Sequence, residues 1–180
     1  MAHIPVPEGL PGIFGLIAAY PEPAKHLAGL AQALLRGSSS LTPAEREMIA
    51  AFVSSQNQCS FCLNSHAAAA RCLLGGEYQV VDQVLRSYQT ARVSEKLKAL
   101  LVIAEKVRQD GRLVTAEDVA RARTAGADDQ AVHDTVLIAA AFCMFNRYVD
   151  GLGTWALGDA AAYEQMGTDL AEKGYQRDGR

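Results

Sequence analysis

The sequence predicts an all-α protein that folds as a single domain over residues 1–180. Apolar residues recur three and four positions apart in most segments, as they do along one face of a helix. No segment alternates apolar and polar residues for long enough to predict a strand. With 180 residues, of which 49% are apolar and 21% charged, the chain has the size and composition of one globular domain.

Proline and glycine divide the N-terminal third of the chain. Residues 1–12 contain three prolines and two glycines, which predicts an irregular N-terminal arm. Residues 13–20 predict a short helical turn that ends at Pro21. Residues 23–36 carry leucine and alanine on one helical face and are followed by Gly37, a typical helix stop.

A helical hairpin is predicted over residues 42–74. Thr42, with Pro43 next and Glu45 three positions later, has the pattern of a capped helix start. The apolar periodicity breaks at Gln56-Asn57-Gln58, so we expect the chain to reverse there. The second helix should end at Leu74, because two glycines follow.

The C-terminal half of the chain predicts five more helices. The longest is apolar nearly all round in its middle, which indicates a central, buried element. The last ten residues, 171–180, have no apolar face and predict a mobile tail. The five predicted helices span residues 77–88, 94–109, 115–126, 128–150 and 154–165.

The second hairpin helix carries two cysteines and a histidine at helical spacing. Cys59 and Cys62 form a C-x-x-C motif, which places two sulfurs one turn apart. His66 follows Cys62 by four residues and so lies on the same face. Glu47 is about as far before the turn as His66 is after it. In an antiparallel hairpin we therefore expect the four side chains to converge.

Such a cluster predicts thiol chemistry. A thiolate near a helix N-terminus is stabilised by the helix dipole and by a neighbouring imidazolium. Histidine and glutamate could then remove and carry the thiol proton. Two alternatives remain: buried cysteines as core residues, and a metal site with Cys59, Cys62, His66 and Glu47 as ligands. Haem attachment would require histidine directly after Cys62, where the chain has Leu63.

The order and spacing of Glu47, Cys59-Ser60-Phe61-Cys62 and His66 resemble the E…CxxCxxxH core of the alkyl hydroperoxidase D-like proteins. These belong to the carboxymuconolactone decarboxylase-like superfamily. The resemblance is specific over residues 41–71 and looser elsewhere, as at Asn146-Arg147, for which we favour a structural role. It implies an all-helical array assembled into homo-oligomers, and no cofactor.

The resemblance also implies an antioxidant activity, the reduction of hydrogen peroxide or an organic hydroperoxide. Cys62 would attack the peroxide and become a sulfenic acid, and Cys59 would then form a disulfide with it. An external dithiol or protein reductant would restore the two thiols. Phe61 departs from the best-known peroxidase, which has histidine there, and is more like the peroxidase-related branch. The departure bears on peroxidase activity more than on dithiol chemistry.

Two further functions are consistent with the motif. One is a disulfide oxidoreductase that acts on a protein or small thiol without peroxide turnover. The other is a redox-sensing helical oligomer that uses the motif as a switch. A decarboxylase is less consistent with the sequence, because that chemistry does not require a C-x-x-C.

Composition and charge argue against other classes. The net charge is −3 and no run of Lys and Arg is present, so we expect no nucleic-acid partner. The longest apolar run, residues 136–145, is far shorter than the ~20 residues that a membrane helix needs. Residues 13–19 are apolar but lack a basic leader, unlike a signal peptide. We therefore expect a cytoplasmic protein with reduced cysteines.

Overall fold

The structure, a computed structural model, describes residues 2–75 and 78–176. These residues form nine α-helices and one 3-10 helix and contain no strand, which confirms the all-α prediction. The 3-10 helix spans Gly111–Leu113. The α-helices are α1 (Ile13–Ala19), α2 (Pro21–Arg36), α3 (Pro43–Gln56), α4 (Ser60–Leu73), α5 (Tyr78–Ser87), α6 (Glu95–Gln109), α7 (Ala116–Thr124), α8 (Asp129–Gly151) and α9 (Ala160–Lys173).

Helices α3 and α4 form the predicted hairpin. Thr42 and Glu45 make a reciprocal capping box, in which each side chain accepts a hydrogen bond from the backbone N–H of the other. At the other end of α3, Gln58 adopts a left-handed conformation with φ of +60°. The backbone N–H of Cys59 then donates to the carbonyl of Ser54 and closes the turn. The turn therefore places Cys59 at the N-cap of α4.

Helix α4 packs between α3 and α9, and small side chains allow the close approach. Residues 67–70 are four consecutive alanines, all buried. On α9, a Cβ atom at Gly167 would lie 2.5 Å from the backbone carbon of Ala68. Helix α8 supplies the centre of the hydrophobic core, with Ile138, Ala139 and Phe142 almost inaccessible to solvent. The motif helix is therefore enclosed on several sides.

The N-terminal arm crosses the end of α8. Residues 2–12 contain no helix. The backbone N–H of His3 donates to the carbonyl of Leu152, and that of Gly12 donates to the carbonyl of Trp155. The arm therefore leads into α1 beside the motif helix.

The C-terminal prediction is wrong in two respects. A helix was expected over residues 154–165, but residues 154–159 are irregular and α9 begins only at Ala160, where Asp159 caps it. The Thr154 hydroxyl donates to the carbonyl of Val149 and so belongs to the end of α8. The tail expected over 171–180 is packed as far as Tyr175, because α9 continues to Lys173 and the backbone of Tyr175 is hydrogen-bonded to Gln32. Residues 177–180 lie outside the described residues.

None of the helices in the described ranges has both the length and the apolar character that a membrane span requires.

Candidate active site

Both motif thiols are free and buried at the start of α4. Cys59 is fully buried and Cys62 is 3% exposed. The two sulfurs are too far apart for a disulfide bond, so the pair is in its dithiol form. Hydrogen bonding to Cys62, together with burial, raises the pKa of the Cys59 thiol. Cys59 is consequently held protonated beside its partner.

Glu47 and His66 meet across the hairpin, as the sequence predicts. The Nδ1 atom of His66 lies 2.7 Å from Oε2 of Glu47. The carboxylate is fully buried and the imidazole nearly so. A carboxylate bound to one ring nitrogen fixes the orientation and tautomer of the imidazole. In that tautomer Nδ1 carries the proton that Glu47 accepts, and Nε2 carries the lone pair of the ring.

Arg36 and Tyr175 complete the surroundings of Glu47, and sequence reasoning missed both. Arg36, the last residue of α2, places Nη2 2.7 Å from Oε1 of Glu47. The Tyr175 hydroxyl donates to the same oxygen at 2.5 Å and lies 3.1 Å from Nδ1 of His66. The Arg36 guanidinium also lies over the Tyr175 ring, 5.3 Å from its centroid. The buried carboxylate is therefore compensated by a cation and by two further hydrogen-bonding groups.

These neighbours keep Glu47 ionised. Burial alone would raise its pKa, but the electrostatic interaction and hydrogen bond with His66, the charge of Arg36 and the hydrogen bond from Tyr175 outweigh burial. The pKa of Glu47 is therefore below its ordinary value. The opposite holds for Tyr175, whose pKa is raised well above its ordinary value by burial and by the adjacent Glu47 charge. The pair consists of a carboxylate and a neutral phenol.

Cys62 and His66 line the same apolar cavity, which has a volume of about 90 Å³. Tyr175 forms part of the wall, whereas Cys59 is not among the lining residues. Of the four predicted site residues, the cavity therefore brings together Cys62 and His66, with Glu47 behind the imidazole. The remaining wall is almost entirely hydrocarbon, from Ile13, Phe14, Ile17, Leu27, Ala28, Ala31, Phe61, Phe142, Phe145, Leu170 and Gly174.

Phe61 lies in an aromatic cluster with Phe14 and Tyr163. Its ring contacts Phe14 edge to face, with centroids 5.9 Å apart, and also packs near Tyr163. The residue that departs from the peroxidase pattern thus links the motif helix to α1 and α9. It supplies apolar surface where a histidine would supply a second imidazole.

Asn146 of α8 braces the hairpin turn. Its amide nitrogen donates to the Ser54 hydroxyl, and its amide oxygen accepts from Asn57. Because the Ser54 carbonyl also accepts from the Cys59 backbone, the contact supports the N-terminus of the motif helix. Arg147 instead bonds the carbonyl of Cys143 within its own helix, at the surface. Both contacts fit the structural role expected for this pair.

The described residues contain no arrangement of side chains that matches the metal-site alternative. Within residues 2–75 and 78–176, no three His, Cys, Asp or Glu side chains are grouped as metal ligands would be. The nitrogen of His66 nearest the carboxylate is occupied by Glu47, whose own oxygens are bound by Arg36 and Tyr175.

The sequence pattern of the carboxymuconolactone decarboxylase family matches residues 21–106, from α2 to α6. These residues form a domain of that family. The match contains Arg36, Glu47, both motif cysteines and His66, and it confirms the resemblance drawn from the motif. Tyr175 lies outside the matched segment. Among curated proteins, none is significantly similar to this chain.

Solved structures share the fold of the family domain and most of the remaining chain. The alkylhydroperoxidase AhpD core of an uncharacterized peroxidase-related protein from Ralstonia eutropha has a TM-score of 0.81 at 27% identity, covering 93% of this chain and 96% of its own. An uncharacterized peroxidase-related protein from Silicibacter sp. has a TM-score of 0.75 at 27% identity, covering 83% of this chain and 78% of its own.

A third structure supports the fold alone. It is a protein of unknown function from Agrobacterium tumefaciens, named as a candidate antioxidant defence protein AhpD. It has a TM-score of 0.70 at 18% identity and covers 82% of this chain and 99% of its own. The described part of this chain therefore has an all-helical fold that matches the AhpD-like neighbours.

Proposed function

We propose that the protein is a thiol-dependent peroxidase that reduces organic hydroperoxides through Cys62 and Cys59. The observation that carries the proposal is the position of Cys62, whose side chain lines a cavity together with an imidazole held by a buried carboxylate. The family domain and the two peroxidase-related structures at 27% identity support the same reaction class.

In the first step, Cys62 loses its proton to Nε2 of His66. Nδ1–H of the imidazole donates to Glu47, and the carboxylate stabilises the imidazolium that forms. Cys62 lies in the first turn of α4, where the helix dipole favours the thiolate. Glu47 acts in this step as an anion and takes up no proton.

The thiolate then attacks the terminal oxygen of the hydroperoxide, so that an S–O bond forms and the O–O bond breaks. The leaving alkoxide takes the proton from His66 and departs as an alcohol. Cys62 is oxidised to a sulfenic acid. The Cys59 sulfur next attacks the Cys62 sulfur, and the released hydroxide leaves as water with the Cys59 proton.

Reduction of the resulting disulfide completes the cycle. An external dithiol, either small or part of a protein, reduces it by exchange and becomes a disulfide itself. The high pKa of Cys59 suits a resolving residue, because it stays protonated until the sulfenic acid has formed. A pair that must return to the dithiol form fits a reducing compartment such as the cytoplasm.

The walls of the cavity favour an organic substrate over hydrogen peroxide. Aliphatic and aromatic side chains surround Cys62, with Leu27, Phe142 and Phe145 among them. Burial of an alkyl or aryl group contributes roughly 25 cal/mol per Å² of apolar surface. Hydrogen peroxide has no such group and gains nothing from these walls.

Steady-state kinetics test the proposal. We expect the wild type to consume cumene hydroperoxide with dithiothreitol as the electron donor, and Cys62→Ser to lose this activity. Cys72→Ser is the matched control, because Cys72 is a partly buried thiol on the same helix, away from the cavity. Equal rates for wild type and Cys62→Ser would refute the proposal.

A disulfide oxidoreductase that acts on small thiols is the second candidate. Phe61 favours it, because the residue removes an imidazole that the best-known peroxidase has, while both motif thiols remain adjacent. This candidate predicts a Cys59–Cys62 disulfide that exchanges with glutathione at a measurable rate, without hydroperoxide turnover. Hydroperoxide turnover that depends on Cys62 excludes it as the main activity.

A further inference from the structure

We propose that Tyr175 is a positioning residue for the Cys62 chemistry, acting through Glu47 and His66 from the segment that follows α9. The inference rests on the proposed thiol reaction at Cys62 and assigns a function to a part of the chain outside the family domain. Its basis is a set of contacts that converge on one carboxylate and one imidazole.

The Tyr175 side chain contacts both members of the dyad. Its hydroxyl donates to Oε1 of Glu47 and lies 3.1 Å from Nδ1 of His66. Its ring stacks on the imidazole, with an interplanar angle of 13° and centroids 5.8 Å apart. On the adjoining side, Phe142 meets the imidazole edge to face at 4.6 Å. Two aromatic rings and one hydroxyl therefore restrict the rotation of His66.

Helix α2 holds Tyr175 in this position. The side-chain oxygen of Gln32 accepts a hydrogen bond of 2.7 Å from the backbone N–H of Tyr175. The preceding residue, Gly174, has φ of +71°, and a Cβ atom there would collide with the Gln32 side chain. One turn further along α2, Arg36 donates to the carbonyl of Leu170 near the end of α9. The segment is thus fixed by side chains of the same helix that supplies the cation for Glu47.

The Tyr175 hydroxyl and the Arg36 guanidinium contact the Glu47–His66 pair in different ways. Both stabilise the carboxylate, but only Tyr175 touches Glu47 and His66 together. The ionisable groups that face Glu47 are Arg36 from α2, His66 from α4 and Tyr175, with the charge of Arg46 nearby on α3. Because Tyr175 remains a neutral phenol, it can donate to Glu47 throughout the working pH range.

Tyr175→Phe tests this role, because it removes the hydroxyl and keeps the ring that stacks on His66. The readout is the pH dependence of Cys62 alkylation by iodoacetamide in a Cys59→Ser background. We expect the acid limb of this profile to move to higher pH by about one unit. Loss of the hydrogen bond raises the pKa of Glu47, and a protonated Glu47 no longer stabilises the imidazolium of His66. Alkylation of Cys62 should then reach half of its plateau rate only at a higher pH than in the parent.

Tyr88→Phe is the matched control. Tyr88 is a buried tyrosine whose hydroxyl donates to Glu105 at 2.9 Å, so the substitution removes the same kind of bond from another part of the protein. Its alkylation profile should coincide with that of the parent. Gln32→Ala offers a second route, because it releases the Tyr175 backbone and should move the limb in the same direction.

An acid limb that stays in place, or moves to lower pH, in Tyr175→Phe would overturn the positioning role. The alkylation assay contains no peroxide, so its result does not depend on peroxidase turnover. A limb that depends on Tyr175 in a protein without hydroperoxide turnover would refute the proposed function and support the positioning role. Full turnover with an unmoved limb would do the reverse.

Discussion

The Nδ1 atom of His66 lies 2.7 Å from Oε2 of Glu47, although 19 positions separate the two residues in sequence. Their positions on either side of the α3–α4 turn bring them face to face. The buried anion that results is balanced by Arg36 from a third helix. Stability and reactivity should therefore depend on the same few side chains.

The ion pair of Glu47 and Arg36 should show strong energetic coupling. Each of Glu47→Gln and Arg36→Met leaves a buried charge without its partner, and each should lower the free energy of unfolding by about 3 kcal/mol. The double variant removes both charges and should cost less than the sum, with a coupling energy of about 1–3 kcal/mol. Urea unfolding of the four proteins measures this cycle. Additive losses would contradict a direct pair.

Acid should destabilise the wild type more steeply than Glu47→Gln. The pKa of Glu47 is lowered in the folded state, so its contribution is fully present above the ordinary value of 4.5 and is lost as the pH falls toward the folded pKa. Urea midpoints measured between about pH 7 and pH 3 should therefore converge for the two proteins at low pH. Asp118 and Asp134 also have lowered pKa values, but both proteins contain them. Parallel pH curves would exclude the assigned direction.

Replacement of Gly12 should disturb the motif through Phe61. Gly12 has φ of +53°, and a Cβ atom there would lie 2.2 Å from the Phe61 ring. Gly12→Ala should lose about 1 kcal/mol from the left-handed backbone and about 1–3 kcal/mol from the collision. Gly9→Ala is the control, since Gly9 has φ of +77° with no atom within 4 Å of a Cβ. Equal losses of unfolding free energy in Gly12→Ala and Gly9→Ala would show that residue 12 does not pack tightly against Phe61.

Filling the cavity should discriminate between hydroperoxides. Ala28 lines the cavity, and Ala28→Leu would fill part of the space that Cys62 also lines. We expect kcat/KM for cumene hydroperoxide to fall about tenfold, because the aryl group loses its site, while that for hydrogen peroxide changes little. Ala140→Leu adds the same side-chain atoms on the exposed face of α8 and should leave both values unchanged. A parallel fall for both substrates in Ala28→Leu would argue against an organic substrate.

Local sequence signals were sufficient for the hairpin and for the meeting of Glu47 with His66. Thr42 and Glu45 fix the start of α3, and the polar break at Asn57 fixes the turn. Once the turn is placed, antiparallel geometry pairs the two residues without further information. The prediction succeeded because every step depends on neighbours in sequence.

Arg36 and Tyr175 could not be found in this way. Tyr175 reaches Glu47 across 128 positions, through the packing of the segment after α9 against α2. That segment has few apolar residues, so its composition indicated a tail. The start of α9 was also misplaced, because a helix was expected from residue 154, whereas Asp159 caps α9 five residues later. An unpaired buried carboxylate at Glu47 was the available signal for a missing cation.

The most direct test is the oxidation state of the motif after one equivalent of cumene hydroperoxide, read by peptide mass spectrometry with dimedone present. We expect a dimedone-captured sulfenic acid at Cys62 in Cys59→Ser, and a Cys59–Cys62 disulfide in the wild type. Dimedone capture confined to Cys72 or Cys143, with Cys62 still reduced in Cys59→Ser, would contradict attack by Cys62.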